Sequence, residues 1–209
     1  MNALTPLLPA LQSLEPLGLP SGSLSDWFAS ASERQAARLA VHVQAEFGAL
    51  HGVEGAVDHA YLRSGAFQAN VVQAVRAAEV AESEDKLRFI ARALAGCVLA
   101  FPPPAPDKFQ TMRVIEGLSD RELRVFVGLF DLLDPIDPFG DRLPVNGTAT
   151  VAGLSRQEFA SALLGLAQQG FLSRADVCRD GWSEPEAAWT LTALARQVAV
   201  LTRIGGEAP

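Results

Sequence analysis

The pattern that most constrains this chain lies beyond residue 117. Ser155 and Glu158 have the spacing of a capping box, in which each side chain satisfies a backbone N–H of the other residue. Phe159, Leu163, Leu164 and Leu166 supply the buried side of the helix they open, and Gly170 stands where such a helix ends. An apolar stretch with an arginine follows, Phe171 to Arg174. Residues 179–183 make a polar turn, Ala188 to Leu191 read as a second short strand, and a last helix starts at Thr192. Upstream, Ser119 and Glu122 form another capping box, before Leu123, Phe126, Val127, Phe130 and Leu133 at helical spacing. Residues 134–154, rich in Gly, Pro, Asp and Asn, show little helical pattern.

The first half reads as helices. Ser25 is placed to cap a helix carrying Leu39, Val43, Phe47 and Leu50, with Gly48 and Gly52 bracketing its end. A second segment runs from Val53 to Arg63, with Val57 and Tyr61 on one face. A third carries Phe67, Val71, Ala74, Val75 and Ala78. Ser83 caps a fourth, where Glu84 and Asp85 favour the positive helix end and Leu87, Ile90, Ala91, Leu94, Val98 and Phe101 make one stripe. Four apolar stripes with short connections predict an antiparallel bundle. The prolines after Phe101 favour a stiff spacer. The expected organisation is a Leu/Pro-rich arm over 1–24, a bundle over 25–101 and a linker over 102–116. A second domain over 117–204 and a tail over 205–209 complete it.

Residues 153–174, from Gly153 through Arg156, Gln157 and Phe159 to Arg174, resemble the recognition helix and first wing strand of MarR-like winged-helix proteins. Residues 189–196, Trp189 to Arg196, are similar to the strand and helix that close the wing there. The resemblance implies a winged-helix-like domain with a small two-stranded wing. It also implies a DNA-reading role for Arg156, Gln157 and Ser161 on the helix and for Arg174 and Arg179 on the wing. Arg34, Leu39, Phe47, the run Ser83 to Arg92 and the run Leu118 to Leu123 resemble an uncharacterised group of bacterial helical proteins, which implies a helical fold and no particular activity. The fold class expected is mainly α: an N-terminal antiparallel helical bundle plus a C-terminal winged-helix-like domain.

Charge argues against a nucleic-acid reader. The net charge is −7, and residues 117–209 hold eight Arg/Lys against twelve Asp/Glu. Asp176, Asp180, Glu184 and Glu186 sit in the same wing as Arg174 and Arg179. Affinity for duplex DNA comes largely from cations at phosphates, and those carboxylates would cancel the two arginines. Protein–protein recognition or assembly therefore ranks above DNA-binding transcription regulation. Trp182, in a polar turn, is a candidate interaction anchor. Clustering of Arg34, Arg38, Arg63, Arg76, Arg88 and Arg92 on one bundle face would move nucleic-acid binding into the first half.

Other chemistries lack their motifs. His42 and Glu46 could share a helix face, as could His51, Glu54 and Asp58, but the Glu-x-x-His repeat of bundle metal sites is missing. No nucleophile elbow, phosphate loop or His-Glu-x-x-His motif occurs. Asp131, Asp134, Asp137 and Asp141 lie in a Pro-rich stretch where turn formation explains them. Cys97 and Cys178 form no spaced cluster, and Cys97 lies on an apolar helix face. The expectation is a non-enzymatic protein with no catalytic residue, metal or cofactor. The Leu-rich arm and bundle favour self-association as a homodimer. With no basic start and prolines at 6, 9, 16 and 20, the N-terminus does not read as a signal peptide, so a cytoplasmic protein without a membrane span is expected.

Overall fold

The computed structural model describes residues 21–50, 57–102, 105–133, 142–145, 147, 149–177 and 186–204. Helix α1 (Ser21–Leu50) starts four residues before the expected cap, so Ser25 lies inside it. The last proline of the N-terminal run is Pro20, and nothing after it forbids helical backbone. At the other end, α1 runs through Gly48, whose α-carbon faces open space. It stops at Leu50, which is buried against Ala95, Val98 and Leu99. Tertiary packing outweighs the glycine's weak helix propensity there.

The expected second helix is shortened to α2 (His59–Leu62). Val57 instead forms an antiparallel bridge with Leu99, and Asp58 N–H donates to the Val98 carbonyl at 2.7 Å. The Asp58 side chain then caps α2 by accepting from Tyr61 N–H. Residues 51–56 lie outside the described ones. Helix α3 (Gly65–Glu79) is capped by Ser64, and α4 (Glu84–Cys97) by Ser83 as its sequence predicts. Helix α4 ends at Cys97, so Val98 and Phe101 follow it rather than extend it.

The expected linker over 102–116 is a correction. Residues 108–117 form helix α5 (Lys108–Gly117), capped by Asp107 and burying Thr111, Met112 and Ile115. It packs on α3 and α4. Among the described residues no separate core follows it. One hydrophobic core runs from Leu39 through Leu94, Phe126 and Phe171 to Leu201.

Helix α6 (Asp120–Leu132) begins at the expected capping box of Ser119 and Glu122. Strand β1 (Arg142–Pro144) follows, then α7 (Arg156–Gln168) behind the second capping box, β2 (Leu172–Val177), β3 (Glu186–Leu191) and α8 (Ala193–Thr202). The sheet is antiparallel in the order β1-β3-β2, with Leu143 and Arg174 both opposite Trp189. The wing hairpin thus has a third strand, drawn from a segment too short and proline-rich to show strand periodicity. Gly170 has φ +80°, with Phe171 N–H on the Leu166 carbonyl and Gly170 N–H on that of Ala167. Those two bonds are a Schellman ending, which needs the left-handed residue that glycine supplies. The molecule is mainly helical, a bundle joined to a small winged region.

Candidate recognition face

Helix α7 is the best-defined candidate. Its buried side is Phe159, Ala162, Leu163 and Leu166. The expected buried set also included Leu164, which is 56% exposed. Phe159, Ala162, Leu163 and Leu166 fall within about 100° of arc at helical spacing, and Leu164 lies on the far side of it. Arg156, Gln157, Ala160, Ser161 and Gln168 are exposed with it. The face that would meet a partner is small-residue, apolar at Leu164 and singly charged at Arg156, which makes no ion pair among the described residues.

The helix is held rigidly. Gly165 lies so close to α6 that a Cβ there would sit 1.9 Å from Glu122 Oε1. Gln169 Nε2 donates to the Gly117 carbonyl at 3.1 Å and to Glu122 Oε2 at 3.3 Å. Behind β2, the Phe126 and Phe171 rings meet edge to face at 5.1 Å. At the helix start, Ser155 donates from its hydroxyl and backbone N–H to Glu158, holding that carboxyl below its usual range. Glu158 also reaches Arg121 at 3.5 Å.

The winged region offers little positive charge beside this helix. Arg174 is exposed, but Asp176 stands two residues on, on the same face of β2. Ser173 and Thr190 share a side-chain hydrogen bond of 2.8 Å across the hairpin. Arg179 and Trp182 lie outside the described residues, as do Asp180 and Glu184. Between β1 and α7 a cleft of about 50 Å³ is lined by Leu143, Pro144, Arg156, Phe159 and Ala160. Ligand pockets run roughly 300–1,000 Å³, so this cleft could take no more than part of a side chain. Between β1 and α7, the described residues hold a turn at 152–153 and no helix.

The histidine reading finds no shared ligand set. His42 Nε2 meets Glu84 Oε2 at 2.6 Å, and Arg38 Nη2 meets Glu84 Oε1 at 2.6 Å. The His42 hydrogen bond, then that of Arg38, lower the Glu84 pKa. Glu46 points elsewhere: Arg203 Nη2 bonds it directly and Arg92 Nε lies 3.5 Å away. Asp58 is a helix cap, and His51 and Glu54 are outside the described residues. No group of three or more His, Cys, Asp or Glu among the described residues could hold a metal ion. Of the Asp cluster only Asp131 is described, and it is exposed. Cys97 is buried and its thiol is pushed up to about 12, chiefly by desolvation. No helix among the described residues is long and apolar enough to cross a membrane.

The six bundle arginines do not form one free basic face. Arg38 is held closely by Glu84, while Arg88 and Arg92 make looser pairs with Asp85 and Glu46 and lie apart from it. No protein-family model, curated protein or solved structure matches the chain.

Proposed function

We propose that this protein is a non-enzymatic recognition protein whose α7 face docks another protein chain, a second copy included. The observation that carries the reading is the exposure of Leu164, 56%, on a rigid helix flanked by Ala160, Ser161, Gln157 and Gln168. A large apolar residue among small and uncharged neighbours suits a desolvated protein contact. The same face offers a polyanion one cation, Arg156, on a chain of net charge −7. Sedimentation velocity over a concentration series tests self-association, with Leu164→Asp expected to shift the chain toward monomer. Photo-crosslinking from position 161, an exposed neighbour on the same face, in the native cell tests a different partner. Identical behaviour of wild type and Leu164→Asp in both measurements would overturn the reading.

A MarR-like DNA reader is the second reading, favoured by an Arg156 at the start of α7 that is exposed and makes no ion pair among the described residues. In it, Arg156, Gln157 and Ser161 contact base edges while Arg174 and Arg179 contact phosphates. A mobility shift that weakens steeply with salt and is lost in Arg156→Ala would establish it.

A further inference from the structure

A second surface, apart from α7, lies in the groove between α4 and α6. The groove encloses about 340 Å³. Helices α4 and α6 meet there through Phe89 and Phe126, whose rings lie edge to face at 6.3 Å. The floor is apolar, and one floor residue, Val127, is 38% exposed although its helical spacing places it with the core residues of α6. The rim carries Arg88 and Arg92 from α4 and Arg124 from α6.

The rim arginines are only partly neutralised. Arg88 Nη1 bonds Asp85 Oδ1 at 3.1 Å, a pair whose side chains are 51% and 80% exposed. Arg92 Nε lies 3.5 Å from Glu46 Oε1, longer than a normal hydrogen bond. Arg124 is exposed and makes no ion pair among the described residues. Three guanidinium forks around an apolar floor are unusual in so acidic a chain. A guanidinium fork matches a carboxylate in two parallel hydrogen bonds, and the floor would take an apolar side chain between them.

Carboxylate and phosphate both suit an arginine, so the other wall residues decide between protein and nucleic acid. Asp85 and Asp120 line the same groove and oppose any anion in their immediate reach, but as acceptors they suit a ligand that also carries N–H donors. Asp120 Oδ1 is out of solvent and meets no hydrogen-bond donor among the described residues. A polypeptide brings N–H donors along with its carboxylates, whereas a phosphate brings acceptors alone.

We propose that the α4/α6 groove binds an acidic segment of a protein partner, with at least two Asp or Glu side chains on Arg88, Arg92 and Arg124 and a large apolar residue between them over Val127. The surface is distinct from the α7 face and does not depend on it.

Selection of random peptides displayed on phage against the full-length protein tests this. Enriched peptides are expected to pair two or more carboxylates with a large apolar residue. Reversing charge in Arg88→Glu/Arg124→Glu should weaken the synthetic peptides about tenfold or more, because like charges across a contact are strongly unfavourable. Arg124→Ala should weaken them by a smaller factor, and Leu164→Asp should leave them unchanged. Both arginines are exposed, and thermal melts establish that each variant is folded. The proposal fails on any of three results: no enrichment or enrichment of neutral or basic peptides, acidic peptides that bind both arginine variants as well as wild type, or a single-stranded oligonucleotide that displaces the peptides and binds more tightly through the same arginines.

Discussion

Lys86 donates a hydrogen bond from its buried ammonium to the carbonyl of Leu118, the residue that ends α5. Only 4% of Lys86 is exposed, and Leu118 is 2% exposed. The chain has two lysines against fifteen arginines. The other lysine, Lys108, does the same work: its Nζ donates to the Leu99 carbonyl at 3.1 Å and sits 4.0 Å from the Tyr61 ring centroid. Both reach carbonyls near the end of a helix, where the backbone lacks intrahelical donors. A compact ammonium fits such a point better than a planar fork.

Removing the Lys86 ammonium leaves a buried carbonyl without a partner. It also leaves Asp120, Glu82, Glu122 and Glu116 without the cation they surround. Against this, the native state no longer has to desolvate a charge. The carboxylates do not offset desolvation by themselves, but the buried carbonyl left without a donor outweighs the relief, so Lys86→Met should cost about 2 kcal/mol. Lys86→Arg should also destabilise, by roughly 1–3 kcal/mol, because the longer fork overfills the site. Urea unfolding followed by circular dichroism checks both. Wild-type stability in Lys86→Arg would show that charge alone, not ammonium geometry, matters at this position.

Cys97 and Tyr61 make the fold sensitive to alkali. Burial raises the Cys97 thiol from 9.0 to about 12 and the Tyr61 phenol from 10.0 to about 12. In that window the native state holds protons that the unfolded chain has released, so stability falls as pH rises. The Cys97 contribution is complete below pH 9 and is lost as pH climbs toward about 12. Lys86 and Lys108 act with the opposite sign, since desolvation lowers their pKa values and stability gains as pH approaches 10.5. The readout is therefore wild type against Cys97→Ala at matched pH. The urea midpoint should fall more steeply with alkali in wild type than in the variant, and equal slopes would refute the assignment.

Much of this architecture is written locally. Ser83, Ser119 and Ser155 cap helices because each supplies a side-chain oxygen two or three residues before an unpaired backbone N–H, a signal within one turn of sequence. Gly170 works the same way at a helix end. What escaped depends on the rest of the molecule. Helix α5 follows a proline run that reads as a spacer, yet its Thr111, Met112 and Ile115 find α3 and α4 to pack on. Strand β1 is three residues long and includes Pro144, so it exists only through its pairing with β3. The candidate surfaces were the least legible part. Leu164 and Val127 each sit beside a buried apolar neighbour, so composition cannot say which of the two faces out. Arg124 joins Arg88 and Arg92 only because α4 and α6 are neighbours in space.

The two halves meet backbone to backbone at Gly96 on α4 and Leu201 on α8. A Cβ at Gly96 would lie 1.9 Å from the Leu201 carbonyl oxygen and 2.7 Å from its carbonyl carbon. Those atoms belong to a helix backbone, so no rotamer change relieves the clash and α8 must move off α4. Such overpacking should destabilise Gly96→Ala by about 3 kcal/mol. Gly48→Ala is the matched comparison, since nothing lies within 4 Å of a Cβ there. In the exposed last turn of α1 that change should stabilise by up to about 0.5 kcal/mol, through helix propensity alone. Melting temperatures of the two variants should therefore move in opposite directions from wild type. If Gly96→Ala melts with wild type, α4 and α8 are not in the backbone contact that holds the bundle to the winged region.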